Sequence, residues 1–497
     1  MLKHNLTANF IGRGWSILMG IAFVPIYIKY LGIESYGLIG LYAVLQAWLA
    51  LLDLGISPTM IREMGRLKGG GIAGSYIRDL LRSFEAIVLL IAVLISTAIF
   101  CVSDWLAIDW VTTVELEQDV VAQSFAIMGC ITSLQFINAF YRGCLTGMQR
   151  QVLLNTVDIV SSTLRGVGSV CVLVFLSPTL HAFFIWQALV VLANLLVMSR
   201  LTYANLPQAE RAGRFSLEAL HSVRKYAAGM FGITFLSLLL TQMDKLILSK
   251  MLPLSEYGYY TLAFIVASGL RSFVSPIANA WYPRLVELYQ AENSEGFVRA
   301  YHEGAQLVSV LVGSFGLVMV ICARPILELW TQDDVLTERS YLLVCLLVIG
   351  NVLNGLMTIP YYAQLAYGWT GYALRVNLVS VLVLVPALVL VVPHFGASGA
   401  ASIWILLNTG YLLVSVQYMY ARMLKAERWT WYRDDILRPL LPGALAALVL
   451  YFWFPAGDSM WWEIAYIVTA IVVVTTASLS GATRIRARVL AAIRSGG

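Results

Sequence analysis

The stretch LLLTQMDKLILSKMLPLSEYGYYTLAF, from Leu238 to Phe264, is apolar at both ends and long enough to cross a membrane as a helix. Its second half matches KYLGIESYGLIGLY, from Lys29 to Tyr42, when the sequence is shifted by 221 residues without a gap. The five identical pairs over these fourteen positions are Lys29/Lys250, Leu31/Leu252, Tyr36/Tyr257, Gly37/Gly258 and Leu41/Leu262. Chance matches are common among apolar segments, but both copies lie at the turn between an odd-numbered and an even-numbered predicted span. The sequence therefore predicts a duplicated membrane unit.

The composition of the 497-residue chain is that of a membrane protein. Hydrophobic residues make up 59% of the chain and charged residues 12%, with a mean hydropathy of +0.78. Soluble domains carry about 25% charged residues. No polar gap between the apolar runs is long enough for a soluble catalytic domain. We therefore expect an all-α polytopic membrane protein.

The apolar runs predict about 14 transmembrane helices. They cover residues 9–30, 37–60, 84–103, 120–146, 152–176, 180–203, 226–249, 257–283, 300–323, 338–362, 370–392, 396–421, 438–455 and 460–480. Lys and Arg concentrate in alternate loops, at 61–83, 204–225 and 422–437, and in the C-terminal tail, whereas the loop at 104–119 is acidic. By the positive-inside rule, both termini are predicted to be cytoplasmic. This bias accounts for the net charge of +5 without nucleic-acid binding.

The repeat divides the predicted helices into two parallel lobes of six helices around a central cavity, plus two C-terminal helices. We expect the first lobe over residues 1–203, the second over 204–425, and the two additional helices with a basic cytoplasmic tail over 426–497. Parallel repeats related by an axis along the membrane normal are a transporter architecture. The substrate path is expected between the lobes.

Charged residues inside predicted spans are the candidate functional residues, because a charge at the bilayer centre costs at least about 2.5–3.5 kcal/mol on insertion scales. The candidate cations for binding substrate are Arg165, Arg271, Lys245, Arg13, Arg142 and Arg375. The candidate anions for ion coupling or charge pairing are Asp244, Asp158 and Asp53. Arg165 and Arg271 lie near the middle of their spans. Asp158 is on the same helical face as Arg165 but about 10 Å away along the axis, which makes a direct pair unfavourable.

Structural explanations exist for several of these residues. Arg13, Arg142 and Arg375 are within reach of the inner headgroups and can snorkel there. Lys245 can reach the outer interface or pair with Asp244. Asp53 can serve a helix break near Gly55 and Pro58.

The sign of the intramembrane charge favours one class of substrate. Cations outnumber anions, so a shared cavity would be cationic and would suit an anionic substrate, and the guanidinium group matches phosphate geometry. An exporter of cationic drugs would be expected to depend on its acidic residues instead. A membrane enzyme such as a glycan polymerase or glycosyltransferase would need paired catalytic groups, typically on a large outer loop, and the loop at 104–119 is short.

Two motifs resemble a known family. IAFVPIYIKYLGIESYGLIGLYAVLQAWLALLDLGISPTMIRE, over residues 21–63, resembles the opening of the polysaccharide-biosynthesis flippases. These are the Wzx-type O-antigen transporters of the multidrug/oligosaccharidyl-lipid/polysaccharide exporter superfamily. QMDKLILSKMLPLSEYGYYTLAF, over residues 242–264, resembles the stretch that opens the second lobe in that family. The family pattern is matched by Arg13, Asp244, Lys245 and Arg271, and Arg165 fits it by charge and depth.

The resemblance implies a flippase that moves an undecaprenyl-diphosphate-linked oligosaccharide, such as an O-antigen unit, across the bacterial inner membrane by alternating access. No metal and no cofactor are expected beyond a proton or sodium gradient. The implied partners are the polyprenyl-diphosphate-linked oligosaccharide and membrane lipids, with a glycan polymerase and chain-length proteins as further candidates and no nucleic acid. A multidrug or cation antiporter of the same fold remains the alternative, and a membrane glycan polymerase or glycosyltransferase a more distant one.

Overall fold

A computed structural model of the chain describes residues 12, 14–16, 18–49, 56–68, 74–206, 213–453 and 459–487. Within these residues the structure is helical, and the one β-type pairing is an isolated bridge between Thr112 and Pro253. The prediction of an all-α fold is confirmed. The chain divides into two compact units, which we call unit 1 (Met1–Gly258) and unit 2 (Tyr259–Gly497).

Unit 1 contains eight helices with long described segments and the start of a ninth. They are α1 (Val24–Leu31), α2 (Ile33–Leu49), α3 (Ile56–Lys68), α4 (Gly74–Trp105), α5 (Gln118–Gly147), α6 (Gln151–Cys171), α7 (Leu180–Ala204), α8 (Leu217–Met251) and the first turns of α9 (Leu254–Ser268). Single π-helical segments extend α4 (Leu106–Trp110) and α6 (Val172–Leu176). Helix α5 packs against both α4 and α7.

Unit 2 contains the rest of α9 and a longer series of helices. They are α10 (Arg271–Gln290), α11 (Ser294–Val308), α12 (Ser314–Ile321), α13 (Ala323–Thr331), α14 (Asp334–Leu356), α15 (Thr358–Ala366), α16 (Thr370–Gly410), α17 (Val416–Arg422), α18 (Arg428–Thr430), α19 (Arg438–Trp453) and α20 (Met460–Gly481). π-helical segments lie at Ser309–Gly313, Tyr411–Ser415 and Trp431–Leu437. The core of unit 2 includes the fully buried Trp431.

Ten helical segments of the described residues are long and apolar enough to cross a membrane, so the chain is a multi-pass membrane protein. The predicted count of 14 is not confirmed. One segment, Gly371–Arg422, contains two predicted spans, and its helix breaks at Gly396, which has a left-handed φ of +57°. The predicted spans at 37–60, 226–249 and 257–283 are not among the ten. The last of these breaks between α9 and α10.

The two copies of the repeat form equivalent turns in unit 1. Helix α1 ends at Gly32, whose φ of +82° allows the chain to turn, and the position 221 residues later is Pro253, which precedes α9. A methyl group on Gly37 would collide with the carbonyl oxygen of Leu254, and one on Gly258 would collide with the carbonyl oxygen of Ile33. Ile33 and Leu254 are themselves 221 residues apart. The contact is therefore reciprocal, as a two-fold relation between the copies requires, and only glycine fits at either position. The predicted lobe boundaries at 203 and 425 remain predictions.

Candidate functional site

Unit 1 contains an open cavity of about 950 Å³, which both polar and apolar side chains line. It is lined by the first helical segment, from Gly12 to Tyr27, and by faces of α2, α5, α6 and α7. On each helix the lining residues recur every three or four positions, as one face of a helix does. On α5 these are Gln135, Asn138 and Arg142.

Helix α6 supplies the longest polar stripe of the cavity. Gln151, Asn155, Asp158, Ser161 and Arg165 all line it. Asp158 and Arg165 thus share one face, as their spacing of seven residues predicts.

Small residues bring α6 close to the first helical segment. A methyl group on Gly12 would overlap the side chain of Asn155, and one on Gly166 would overlap the ring of Phe23. Tyr27 also donates its hydroxyl to the carbonyl oxygen of Gly166 at 3.3 Å. These contacts fix the position of the α6 face that carries Asp158 and Arg165.

Arg142 on α5 forms an ion pair with Asp158 on α6. The Asp158 side chain is 19% exposed and that of Arg142 is 43% exposed. Snorkelling to the headgroups is the alternative explanation for the position of Arg142. Asp158 pairs with Arg142 rather than with Arg165, which is about 10 Å from Asp158 along the helix axis. Asp158 therefore neutralises Arg142 and leaves the charge of Arg165 uncompensated by that carboxylate.

Arg165 is held by an amide. Its Nε donates to Oε1 of Gln187 on α7 at 2.7 Å. The Nε2 of Gln187 donates to the carbonyl oxygen of Arg165 at 3.3 Å and to Oγ of Ser169 at 2.9 Å. Because Gln187 accepts from one group and donates to two others, its orientation is fixed, and it presents the guanidinium group to the cavity without neutralising it.

The cavity also contains polar groups that the sequence analysis did not identify. The Oδ1 atoms of Asn138 and Asn194 are buried and have no hydrogen-bond partner among the described residues. Gln135 donates from Nε2 to the hydroxyl of Tyr42 at 3.2 Å. The signal was present as uncharged amides at helical spacing, Gln135 and Asn138 on α5 and Gln187 and Asn194 on α7, but attention to charged residues alone passes over it.

Lys245 and Asp244 pair with each other in unit 1, with 3.5 Å between Nζ and Oδ1. Lys245 is 9% exposed and also donates to the carbonyl oxygen of Thr241 at 3.0 Å. Neither residue is among those that line the cavity. Their pairing matches one of the two structural explanations for Lys245, and a role for Lys245 in binding substrate remains a prediction.

Of the other predicted residues that the structure describes, Arg271 and Arg375 are not among those that line this cavity. Arg271 begins α10 and Arg375 lies near the start of α16; both are exposed and belong to unit 2. Arg13 and Asp53 lie outside the described residues. Of the nine predicted residues, the cavity unites Arg142, Asp158 and Arg165.

Unit 2 has a buried polar cluster of a different kind. His302, fully buried on α11, contacts Oδ2 of Asp435 through Nδ1 and lies 3.0 Å from Oε2 of Glu427 through Nε2. The hydroxyls of Tyr301 and Tyr420 share a hydrogen bond of 2.6 Å beside it. Oδ1 of Asp435 is buried without a hydrogen-bond partner among the described residues, and the side chain of Glu427 is 26% exposed.

Solved structures similar to this chain share its fold. The lipid II flippase MurJ in an inward closed conformation superposes with a TM-score of 0.70 at 13% identity, covering 95% of this chain and 97% of that chain. An inward-facing multidrug resistance MATE family transporter of the MOP superfamily gives a TM-score of 0.65 at 14% identity, covering 83% and 96%. At these identities the likeness concerns the fold alone.

Sequence comparison agrees with the motifs. A protein described as "Putative O-antigen transporter" from Shigella flexneri is 20% identical over 431 residues, which are 84% of this chain and 97% of that protein. The sequence model of the polysaccharide biosynthesis protein family matches residues 2–289, more than half of the chain and all of the residues that line the cavity. The chain belongs to the polysaccharide biosynthesis protein family.

Proposed function

We propose that this protein is a flippase that moves a polyprenyl-diphosphate-linked oligosaccharide from the inner to the outer leaflet of the bacterial inner membrane. The single observation that carries the proposal is the polar cavity of unit 1, in which Arg165 is exposed to a ligand while Arg142 is balanced by Asp158. A membrane-embedded guanidinium group without a carboxylate partner suits a phosphate group. The family match and the Shigella flexneri relative favour a polysaccharide precursor as the molecule that carries this phosphate.

The cavity supplies contacts for both parts of such a head group. The guanidinium group of Arg165 donates hydrogen bonds to a phosphate group. The amide side chains on α5, α6 and α7 donate hydrogen bonds to sugar hydroxyls and accept hydrogen bonds from them. The polyprenyl chain remains in the lipid, because transferring it into a polar cavity would forfeit its hydrophobic stabilisation. Alternating access of two lobes, driven by a proton or sodium gradient, completes the proposal.

The proposal is tested with the full chain in proteoliposomes. An undecaprenyl-diphosphate-linked oligosaccharide is placed in the outer leaflet, and its loss from that leaflet is followed with an impermeant lectin or periodate. We expect transfer that depends on the protein and accelerates when a proton or sodium gradient is imposed. Transfer no faster than in protein-free vesicles, with protein of confirmed fold, would refute the flippase assignment.

A multidrug or cation antiporter is the second candidate, favoured by the likeness to the MATE family transporter and by the presence of Asp158 in the cavity. It predicts uptake of an organic cation such as ethidium in exchange for protons or sodium. Uptake of ethidium by the same vesicles distinguishes the two candidates. A flippase of the proposed kind should take up no ethidium, because Asp158 is paired with Arg142 and the described lining residues include no other carboxylate.

A further inference from the structure

We propose that the cavity of unit 1 selects an uncharged glycan on its anionic anchor, and that Asp158, with the amides Asn138 and Asn194, sets this specificity. The inference rests on the proposed function and names the class of substrate. Its basis is the balance of charge on the cavity wall and the position of unpaired amide oxygens.

The first step is the charge of the wall. Among the described lining residues, the ionisable acids and bases of full charge are Arg142, Asp158 and Arg165. Arg142 and Asp158 form an ion pair, so one net positive charge remains, on Arg165. One cation serves the phosphate anchor, and no second cation remains for a carboxylate on a sugar.

The second step is the sign of Asp158. Its side chain remains 19% exposed on the cavity wall, so it would face a uronic or sialic acid directly. By pairing with Arg142, Asp158 cancels the second positive charge of the described lining, which would otherwise attract the carboxylate of an acidic sugar.

The third step is the supply of uncharged polar groups. Seven amide side chains line the cavity: Gln46, Gln135, Asn138, Gln151, Asn155, Gln187 and Asn194. In the part of the chain that the structure describes, the Oδ1 atoms of Asn138 and Asn194 are buried acceptors without a hydrogen-bond partner, and Asn138 is only 8% exposed as a residue. A hydroxyl or the N–H of an acetamido group can donate to each of them.

The fourth step is size. A cavity of about 950 Å³ is at the upper end of the range of about 300–1,000 Å³ found for pockets that hold drug-sized ligands. It therefore admits more than one sugar ring. Neutral or N-acetylated hexoses, which present hydroxyl and amide groups without ionised ones, are the sugars that this wall fits.

The test measures the transfer of two lipids that differ in one group. Full-chain protein in proteoliposomes is given an undecaprenyl-diphosphate-linked oligosaccharide of neutral sugars, or the same lipid with one hexose replaced by its uronic acid. We expect wild-type protein to transfer the neutral lipid at least 10-fold faster. Equal rates for the two lipids would overturn the inference while leaving the proposed function intact, whereas transfer of neither lipid would refute the proposed function itself.

Variants of the charge pair connect this preference to Asp158. Asp158→Asn leaves two uncompensated arginines, and we expect it to reduce the neutral-to-acidic rate ratio at least 10-fold. The double variant Arg142→Gln/Asp158→Asn restores a single net charge and leaves no unpaired arginine at position 142, so it should return the ratio towards that of the wild type. An unchanged ratio in Asp158→Asn, or a double variant that behaves like Asp158→Asn, would overturn the assignment of specificity to this charge balance.

The role of Asn138 and Asn194 is tested separately, by the rate at which the neutral lipid is transferred. Asn138→Leu and Asn194→Leu remove an acceptor at nearly constant size, and each should slow transfer of the neutral lipid at least 5-fold without changing the charge balance. Arg299→Gln, an exposed change on α11, serves as the control and should leave both rates unaltered. Wild-type rates in both leucine variants would contradict their role in contacting the glycan.

Discussion

The two units of this protein place their charged and titratable side chains differently. In unit 1, Arg142, Asp158 and Arg165 line an open cavity, and Arg165 is held by a neutral amide. In unit 2, His302 and Asp435 are wholly buried and contact each other, and Oδ1 of Asp435 has no hydrogen-bond partner among the described residues. A charged group that lines a cavity can contact a ligand directly, whereas a wholly buried pair is out of a ligand's reach. This difference is the reason for our proposal that a substrate head group binds in unit 1.

The largest effect on stability should come from disrupting the buried contact between His302 and Asp435 in unit 2. His302→Ala leaves the buried Asp435 without its partner, and removing one member of a buried pair typically costs about 3–5 kcal/mol. We expect thermal unfolding in detergent at a clearly lower temperature, with unaltered transfer per folded molecule. His394→Ala, at an exposed histidine of α16, is the matched control. A stable His302→Ala protein with altered substrate preference would contradict the contrast between the units.

The next effect should appear in transport. Arg165→Gln removes the uncompensated charge but can still form hydrogen bonds, and a hydrogen bond to a charged group contributes about 1.5–3 kcal/mol. We expect transfer of the diphosphate-linked lipid to fall about 10- to 100-fold with little change in unfolding temperature. Arg165→Lys should recover part of the rate. If Arg165→Gln were fully active, the diphosphate would have to be bound elsewhere.

The two copies of the repeat have equivalent surroundings at the reciprocal contact of Gly37 and Gly258. Gly37→Ala and Gly258→Ala each push a methyl group into a backbone carbonyl, and overpacking a tight contact costs at least about 1 kcal/mol. We expect the two variants to lower the unfolding temperature by similar amounts, because their surroundings are equivalent. Gly371→Ala, at a helical glycine with open space around it, should be neutral or stabilising. If the two variants lowered the unfolding temperature by clearly unequal amounts, the two copies of the repeat would be equivalent in their backbone only.

The smallest effect should come from a feature that only the first copy possesses. Glu34 is buried, and its carboxylate accepts backbone N–H groups of Val114, Glu115 and Leu116 at 2.6–3.0 Å, whereas the position 221 residues later is Ser255. Glu34→Gln retains one acceptor oxygen, so we expect a loss of about 1 kcal/mol. Faster hydrogen exchange at residues 114–116 would report it. Glu117→Gln, at an exposed glutamate of the same loop, should leave the exchange unchanged.

The contrast between the units has a counterpart in the sequence. The fifth predicted span carries Asp158 and Arg165 in its interior, while the eleventh, at 370–392, is without a formal charge beyond Arg375 near its start. The asymmetry of charge could therefore be read from two spans that hold equivalent places in the repeat. The buried cluster around His302 in unit 2 was harder to recognise from the sequence, because His302 and Asp435 are 133 residues apart and neither lies in a motif.

Composition, hydropathy and the 221-residue repeat determined the class of this protein, because apolar length and helical spacing are local properties of a chain. They also predicted that Asp158 and Arg165 share a face, since residues seven apart on a helix must do so. The pairing of the adjacent residues Asp244 and Lys245 is local to α8, and tertiary structure decided only that the pair lies away from the cavity lining. Tertiary structure alone decided that Arg142 pairs with Asp158 and that Gln187 holds Arg165. Each of these two contacts depends on which faces of different helices meet. That choice is made by the close contacts at small residues and by the packing of helix on helix, and no single helix contains it.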